Sequence, residues 1–288
     1  MEETETPGIS QVKLAFRVAY CGDHFAGSQI QPGFRTVEGE FIAACTRLGL
    51  FVDWRKAHFA ASGRTDRGVH AMGQVFSFLT GTPDRAIAAL NYQLPKDCWC
   101  TGYARALPGF HPRYDAKFRT YRYFFREPDL DVARMEGAAT LFLGVHDFTG
   151  FAKVTDKNPE RKVLAAAIGT ENGILYLEIT AGSFLWHMVR CIATALRDIG
   201  MRTSDAESIT RRLDGHYAGG IHPAPPEGLV LWDVAYDMPF IPIPQEQRRK
   251  GTLQECLDYH RVMTTIYQIF TDPDTTSEKT TDVSPCSD

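Results

Sequence analysis

A chain of 288 residues with 44% hydrophobic and 11% aromatic content can bury a core in one large domain or two smaller ones. No apolar run has the length of a membrane helix, and the acidic, polar first ten residues do not read as a secretory signal, so a soluble cytoplasmic protein with no membrane partner is expected. The formal charge of −4 is unevenly spread: Glu2, Glu3 and Glu5 open the chain and an excess of three acids follows residue 237, which leaves residues 11–237 at +2, a balance that tolerates nucleic acid without demanding it.

In chain order, Leu14, Phe16, Val18 and Tyr20 alternate as a half-buried strand does. Gly22 to Gly33 reads as a loop. Thr36 then caps a helix with the apolar stripe Val37, Phe41, Cys45 and Leu48. His58 to Ser62 leads into a Gly63–Gly68 loop, and Gly73 to Leu79 leaves it as a strand. Asp84 to Leu94 is a short helix and Trp99 to Ala106 a strand. Cys98 and Cys100, the one close cysteine pair of seven, have the wrong spacing for a zinc site, and no metal is expected. Lys117 to Arg126 is a strand with Tyr121, Tyr123 and Phe125 on one face.

The second half repeats this rhythm. Val163 to Gly169 and Ile174 to Thr180 are strands around Glu171-Asn172-Gly173, a hairpin signal. Phe184 to Ile199 has helical spacing at Leu185, Val189, Ile192, Leu196 and Ile199, Asp205 to Leu213 is another helix, and Leu229 to Tyr236 a last strand. Hairpins among alternating strands and helices predict an α+β fold with a mainly antiparallel sheet. The expected organisation is an acidic, disordered 1–10, an α/β half over 11–112, a second over 113–237, and an extension over 238–288. That extension is helical near Leu253 to Phe270 and disordered from Thr271.

Three segments carry chemistry. In Gly63-Arg64-Thr65-Asp66-Arg67-Gly68-Val69-His70, two glycines allow a tight turn that presents an acid between two arginines. Alone, this reads first as a surface turn with a solvated ion pair. The second runs from Phe110-His111-Pro112-Arg113-Tyr114 to Lys117-Phe118-Arg119-Thr120-Tyr121-Arg122-Tyr123, where bases and aromatics interleave. Such a strand can stack an extruded base and hold phosphates, although Tyr123 and Phe125 fit a core role better. The third, Gly182-Ser183-Phe184-Leu185-Trp186-His187-Met188-Val189-Arg190, sets Arg190 beside an apolar stripe, where a buried guanidinium needs a carboxylate. His187 reads as a packing or polar-edge residue.

Together these segments resemble the tRNA pseudouridine synthase A family. The resemblance rests on Gly-Arg-Thr-Asp-x-Gly-Val-His followed by Gly-Gln-Val, on Tyr121-Arg122-Tyr123, and on Phe-Leu-x-x-Met-Val-Arg. In the same order come Gly27-x-Gln29, Asn91 before Leu94-Pro95, Gly144-x-His146-Asp147-Phe148 and Ala224-Pro225-x-Glu227-Gly228-Leu229, so the likeness spans Lys13 to Tyr236. Two positions depart from the family: Ser28 stands where an aromatic is usual and Glu38 where glutamine is usual. Both lie away from Asp66 in sequence, which points to substrate contacts rather than catalysis.

The resemblance implies a cofactor-free isomerisation of uridine to pseudouridine in tRNA, at positions 38 to 40 of the anticodon stem-loop. Asp66 would be catalytic, Tyr121 would stack on the target uracil, and Arg190 would pair with the aspartate. Arg64 would enter the RNA to help extrude the nucleotide, and Leu185 would form an apolar wall. It also implies two similar α/β halves whose sheets join around a basic RNA-binding cleft, and a homodimer. The alternatives are a relative acting on other tRNA or RNA positions, a non-catalytic RNA-binding protein, and an N-glycoside hydrolase. The last is disfavoured because no acidic cluster lies near Asp66 in sequence.

Overall fold

The computed structural model describes residues 11–153, 158–244 and 247–271. The chain divides into a large unit ending at Ile243 and a second unit beginning at Pro244. In the large unit the order is β1 (Val12–Tyr20), α1 (Val37–Arg47), β2 (Ala60–Ala61), β3 (His70–Thr80), α2 (Pro83–Gln93), β4 (Cys98–Ala106) and β5 (Phe118–Phe124). It continues through α3 (Val132–Ala139), β6 (Gly144–Asp147), β7 (Glu160–Glu171), β8 (Ile174–Ala181), α4 (Met188–Gly200), α5 (Ala206–Leu213), β9 (Leu229–Ala235) and β10 (Ile241–Pro242). The second unit contains α6 (Gln247–Thr271). The first ten residues and those after Thr271, expected to be disordered, lie outside the described residues.

The strands form one sheet in the order β10-β4-β1-β3-β9-β5-β8-β7-β6, with β2 on β3. Among the described residues every pairing is antiparallel except that of β3 with β9, where His70 faces Val230 and Ala71 faces Leu231. The fold is therefore α+β with a mainly antiparallel sheet, as expected. The β7–β8 hairpin turns at Asn172 and Gly173 with φ of 51° and 80°, the double positive φ that a two-residue hairpin requires.

Two apolar cores form. In the first, the Thr36 hydroxyl accepts from the Gly39 N–H at 3.2 Å and starts α1, whose Val37, Phe41, Ala44 and Cys45 are buried. Phe41 packs edge-on against Phe76 at 4.9 Å, and Phe16 stacks on Phe78 at 5.8 Å. In the second, Val189, Ile192, Leu196 and Ile199 of α4 meet Met135 and Ala138 of α3 and Leu177 and Ile179 of β8. Tyr123 and Phe125 belong to this core.

Three expectations change. β1 is not half-buried, because Leu14, Ala15, Phe16, Val18 and Ala19 are all inaccessible. It lies between β3 and β4, and the other face is also covered, with Phe240 set 4.9 Å from the Arg17 guanidinium. The helix expected from Phe184 begins only at Met188, because His187 has φ of 65° and the Met188 N–H bonds to the Leu185 carbonyl at 3.2 Å. Finally, α6 starts at Gln247 rather than Leu253.

Candidate active site

The loop between β2 and β3 is held from several sides. Thr65 is buried, its hydroxyl 2.7 Å from the Tyr20 hydroxyl. The Thr65 N–H donates to Ser28 Oγ at 2.8 Å, and the Ser28 N–H donates to the Thr65 carbonyl at 3.0 Å. Gln74 reaches back to the Gly63 carbonyl at 3.0 Å and meets the Ser62 hydroxyl at 2.6 Å. The Val69 N–H donates to the Asp66 carbonyl at 3.2 Å and closes the turn. Gly22 is required beneath it, since a Cβ there would lie 2.2 Å from the Val69 carbonyl oxygen. Ser28, distant from Asp66 in sequence, thus braces the residue next to it. Its departure from the family pattern bears on the Asp66 loop, contrary to the expectation drawn from spacing.

The segment entering α4 faces this loop. Arg190 donates from Nη1 to Asp66 Oδ2 at 3.1 Å and from Nε to the Ala224 carbonyl at 2.6 Å, so the half-buried guanidinium has a carboxylate partner. The Trp186 indole N–H donates to Asp66 Oδ1 at 3.0 Å. His187 Nε2 stands 3.4 Å from Asp66 Oδ2. Burial pushes the His187 pKa below its usual value; Asp66 opposes this, while Arg190 and Lys153 push the same way as burial.

Tyr121 lies at the centre of β5, opposite Ile179 on β8 and Leu231 on β9. Its ring meets Phe184 edge-on at 5.1 Å, and burial raises its hydroxyl to about 12. Leu185 is buried in the second core. Arg64 is exposed and lies near Glu38. Burial raises the Glu38 carboxyl, while an N–H from Ile30 at 3.0 Å and the Arg64 charge draw it back.

Arg119 ties the parts together. Its guanidinium donates to the carbonyls of Gly182 at 2.8 Å, Ser62 at 2.9 Å and Arg113 at 2.7 Å, and burial lowers its pKa. A cleft of about 560 Å³ opens over the carboxylate, lined in part by Asp66, Arg67, Arg190, Asp23 and Glu227. Tyr121, Leu185 and Arg64 are not among its lining residues. Glu227 is paired with Arg126.

Sequence reading did not foresee the contacts of Trp186 and His187 with Asp66, the three carbonyls on Arg119, or the role of Ser28. The signal for the first two was their place inside the segment that carries Arg190.

The family description "tRNA pseudouridine synthase" matches residues 17–115 and 138–237. The chain belongs to the tRNA pseudouridine synthase family. A tRNA pseudouridine synthase A from Methanoculleus marisnigri is 52% identical over 255 residues, covering 88% of this chain and 94% of the relative. One from Methanosphaerula palustris is 49% identical over 239 residues, covering 83% and 85%. A more distant one, from Thermococcus kodakarensis, is 46% identical over 228 residues, covering 78% and 85%. As a member of the tRNA pseudouridine synthase family, the chain is an isomerase that acts on tRNA. Both matched segments reach the site: Asp66 lies in the first, and Tyr121 between the two, while Trp186, His187 and Arg190 lie in the second.

Proposed function

We propose that the chain converts uridine to pseudouridine at positions 38 to 40 of the tRNA anticodon stem-loop, with Asp66 as its catalytic group. The observation that carries this reading is the Asp66 carboxylate in an open cleft, held through Oδ2 by Arg190 at 3.1 Å. In the reaction the C1′–N1 bond breaks, the uracil turns in place, C1′ joins C5, the C5 proton is lost and N1 takes up a proton, so that the product is an isomer of the substrate. A carboxylate beside the ribose serves this chemistry, and a site that excludes water protects the glycosyl centre from hydrolysis. Tyr121 offers a ring for the uracil to stack on, and exposed Arg64 offers a cation that enters the RNA as the nucleotide is extruded. Leu185 supplies an apolar wall. Residues 11–112 and 113–237 act as two halves of one RNA-binding body, used as a cytoplasmic homodimer.

The test is incubation with an unmodified tRNA transcript, followed by mapping of pseudouridine. Product is expected at one or more of positions 38 to 40, and Asp66→Ala should abolish it while leaving tRNA affinity within a few fold. Product only elsewhere would overturn the assigned positions. Turnover retained by Asp66→Ala would overturn the assigned catalyst.

A further inference from the structure

The six residues Gly182–His187 cross from β8 to α4. Leu185 points into the core, while Trp186 stays 45% exposed, unusual for a large aromatic. Two contacts hold it there. The Lys153 N–H donates to the Trp186 carbonyl at 2.9 Å, and Lys153 Nζ lies 4.4 Å from the centre of its indole ring, a cation–π contact. The edge of the same ring carries the N–H that reaches Asp66 Oδ1 at 3.0 Å.

We propose that Trp186 is a positioning residue that fixes the Asp66 carboxylate for the reaction, an inference that rests on the reading of Asp66 as catalyst. Arg190 holds Oδ2 and Trp186 holds Oδ1, so the plane of the carboxylate is set by one donor on each oxygen. A carboxylate has about four lone-pair sites; Oδ2 has Arg190 and, at 3.4 Å, His187 beside it, while Oδ1 has Trp186 and keeps a site for the substrate. A neutral indole donor locks the second oxygen without placing another full charge beside it. Lys153 braces the ring from its face and keeps the N–H aimed.

Two measurements on the full chain test this. The first follows the indole N–H resonances of the four tryptophans. Trp186→Phe identifies the Trp186 signal by its loss, and in Asp66→Ala that signal should shift and exchange faster with water while the others hold. The second is steady-state turnover on an unmodified tRNA transcript. Trp186→Phe keeps an aromatic ring but removes the donor, and kcat should fall about tenfold with KM within about twofold. Its unfolding midpoint should match the parent, since Trp186 lies outside both cores and is 45% exposed.

An indole signal indifferent to Asp66→Ala overturns the proposal. So does unchanged kcat in Trp186→Phe, a rise in KM alone (which would make the ring a stacking surface for RNA), or a rate loss accompanied by a lowered midpoint. The underlying reading fails separately: an active Asp66→Ala removes Asp66 as catalyst, whereas an inactive Asp66→Ala beside a fully active Trp186→Phe removes only the role of Trp186.

Discussion

Asp66 gains its setting from side chains more than a hundred positions away, Trp186 and Arg190, and from backbone braces close at hand. A carboxylate with a donor on each oxygen loses rotational freedom before substrate arrives, and that pre-set geometry is what a positioned catalytic group requires. Tyr121 poses a different question, because its ring and its hydroxyl can contribute separately. Burial raises the hydroxyl to about 12. If stacking is its main contribution, Tyr121→Phe should retain most of the single-turnover rate while Tyr121→Leu loses at least tenfold. Equal losses in both would assign the effect to the hydroxyl.

At the scale of elements, the Asp66 loop is braced by hydrogen bonds at Gly63, Thr65 and Val69. Ser28 is inaccessible, and its Oγ is the acceptor for the Thr65 N–H. Ser28→Ala leaves that buried N–H without this partner and should cost about 1–3 kcal/mol of stability. Urea unfolding reads this directly, and an unchanged midpoint would mean that the loop finds another acceptor. The local signals visible in the sequence were those with a nearby cause: the Thr36 cap, the Asn172-Gly173 turn, and the stripe along α4. What was not legible had a distant cause. The start of α4 was misplaced because Phe184 and Leu185 extend the apolar period, and only the left-handed backbone at His187 reveals that the chain is still turning. α3 is eight residues long and was missed because Met135, Ala138 and Ala139 make too short a stripe to stand out. The Asp66–Arg190 pairing came from family resemblance and the Trp186 contact only from coordinates, since neither has a local pattern to betray it.

Across the whole molecule, four tyrosines share a response to alkali. Burial raises Tyr20, Tyr121, Tyr123 and Tyr236 above the usual value of 10, with Tyr121 and Tyr123 at about 12. A raised folded pKa means that the native state holds the proton more tightly than the unfolded chain. The stabilisation is therefore fully present below pH 10 and is lost as pH rises from there through 12. The unfolding free energy from urea titrations should show this as a fall that begins near pH 10. Stability indifferent to pH across that window would contradict the burial of these hydroxyls. His187 acts at the acid end: its pKa is lowered in the fold, so the unfolded chain takes up the proton more readily and acidification through the unfolded value disfavours the native state.

The place of β9 in the sheet sets an order of events during synthesis. β3 and β5 are made early, yet they do not pair with each other; β9, which ends at Ala235, lies between them. They have no shared sheet until that late strand slots in. The carboxylate of Asp66 is translated more than a hundred residues before Arg190, and the β3–β9 joint beside it comes later still. A chain halted before residue 229 therefore lacks the strand that joins β3 to β5.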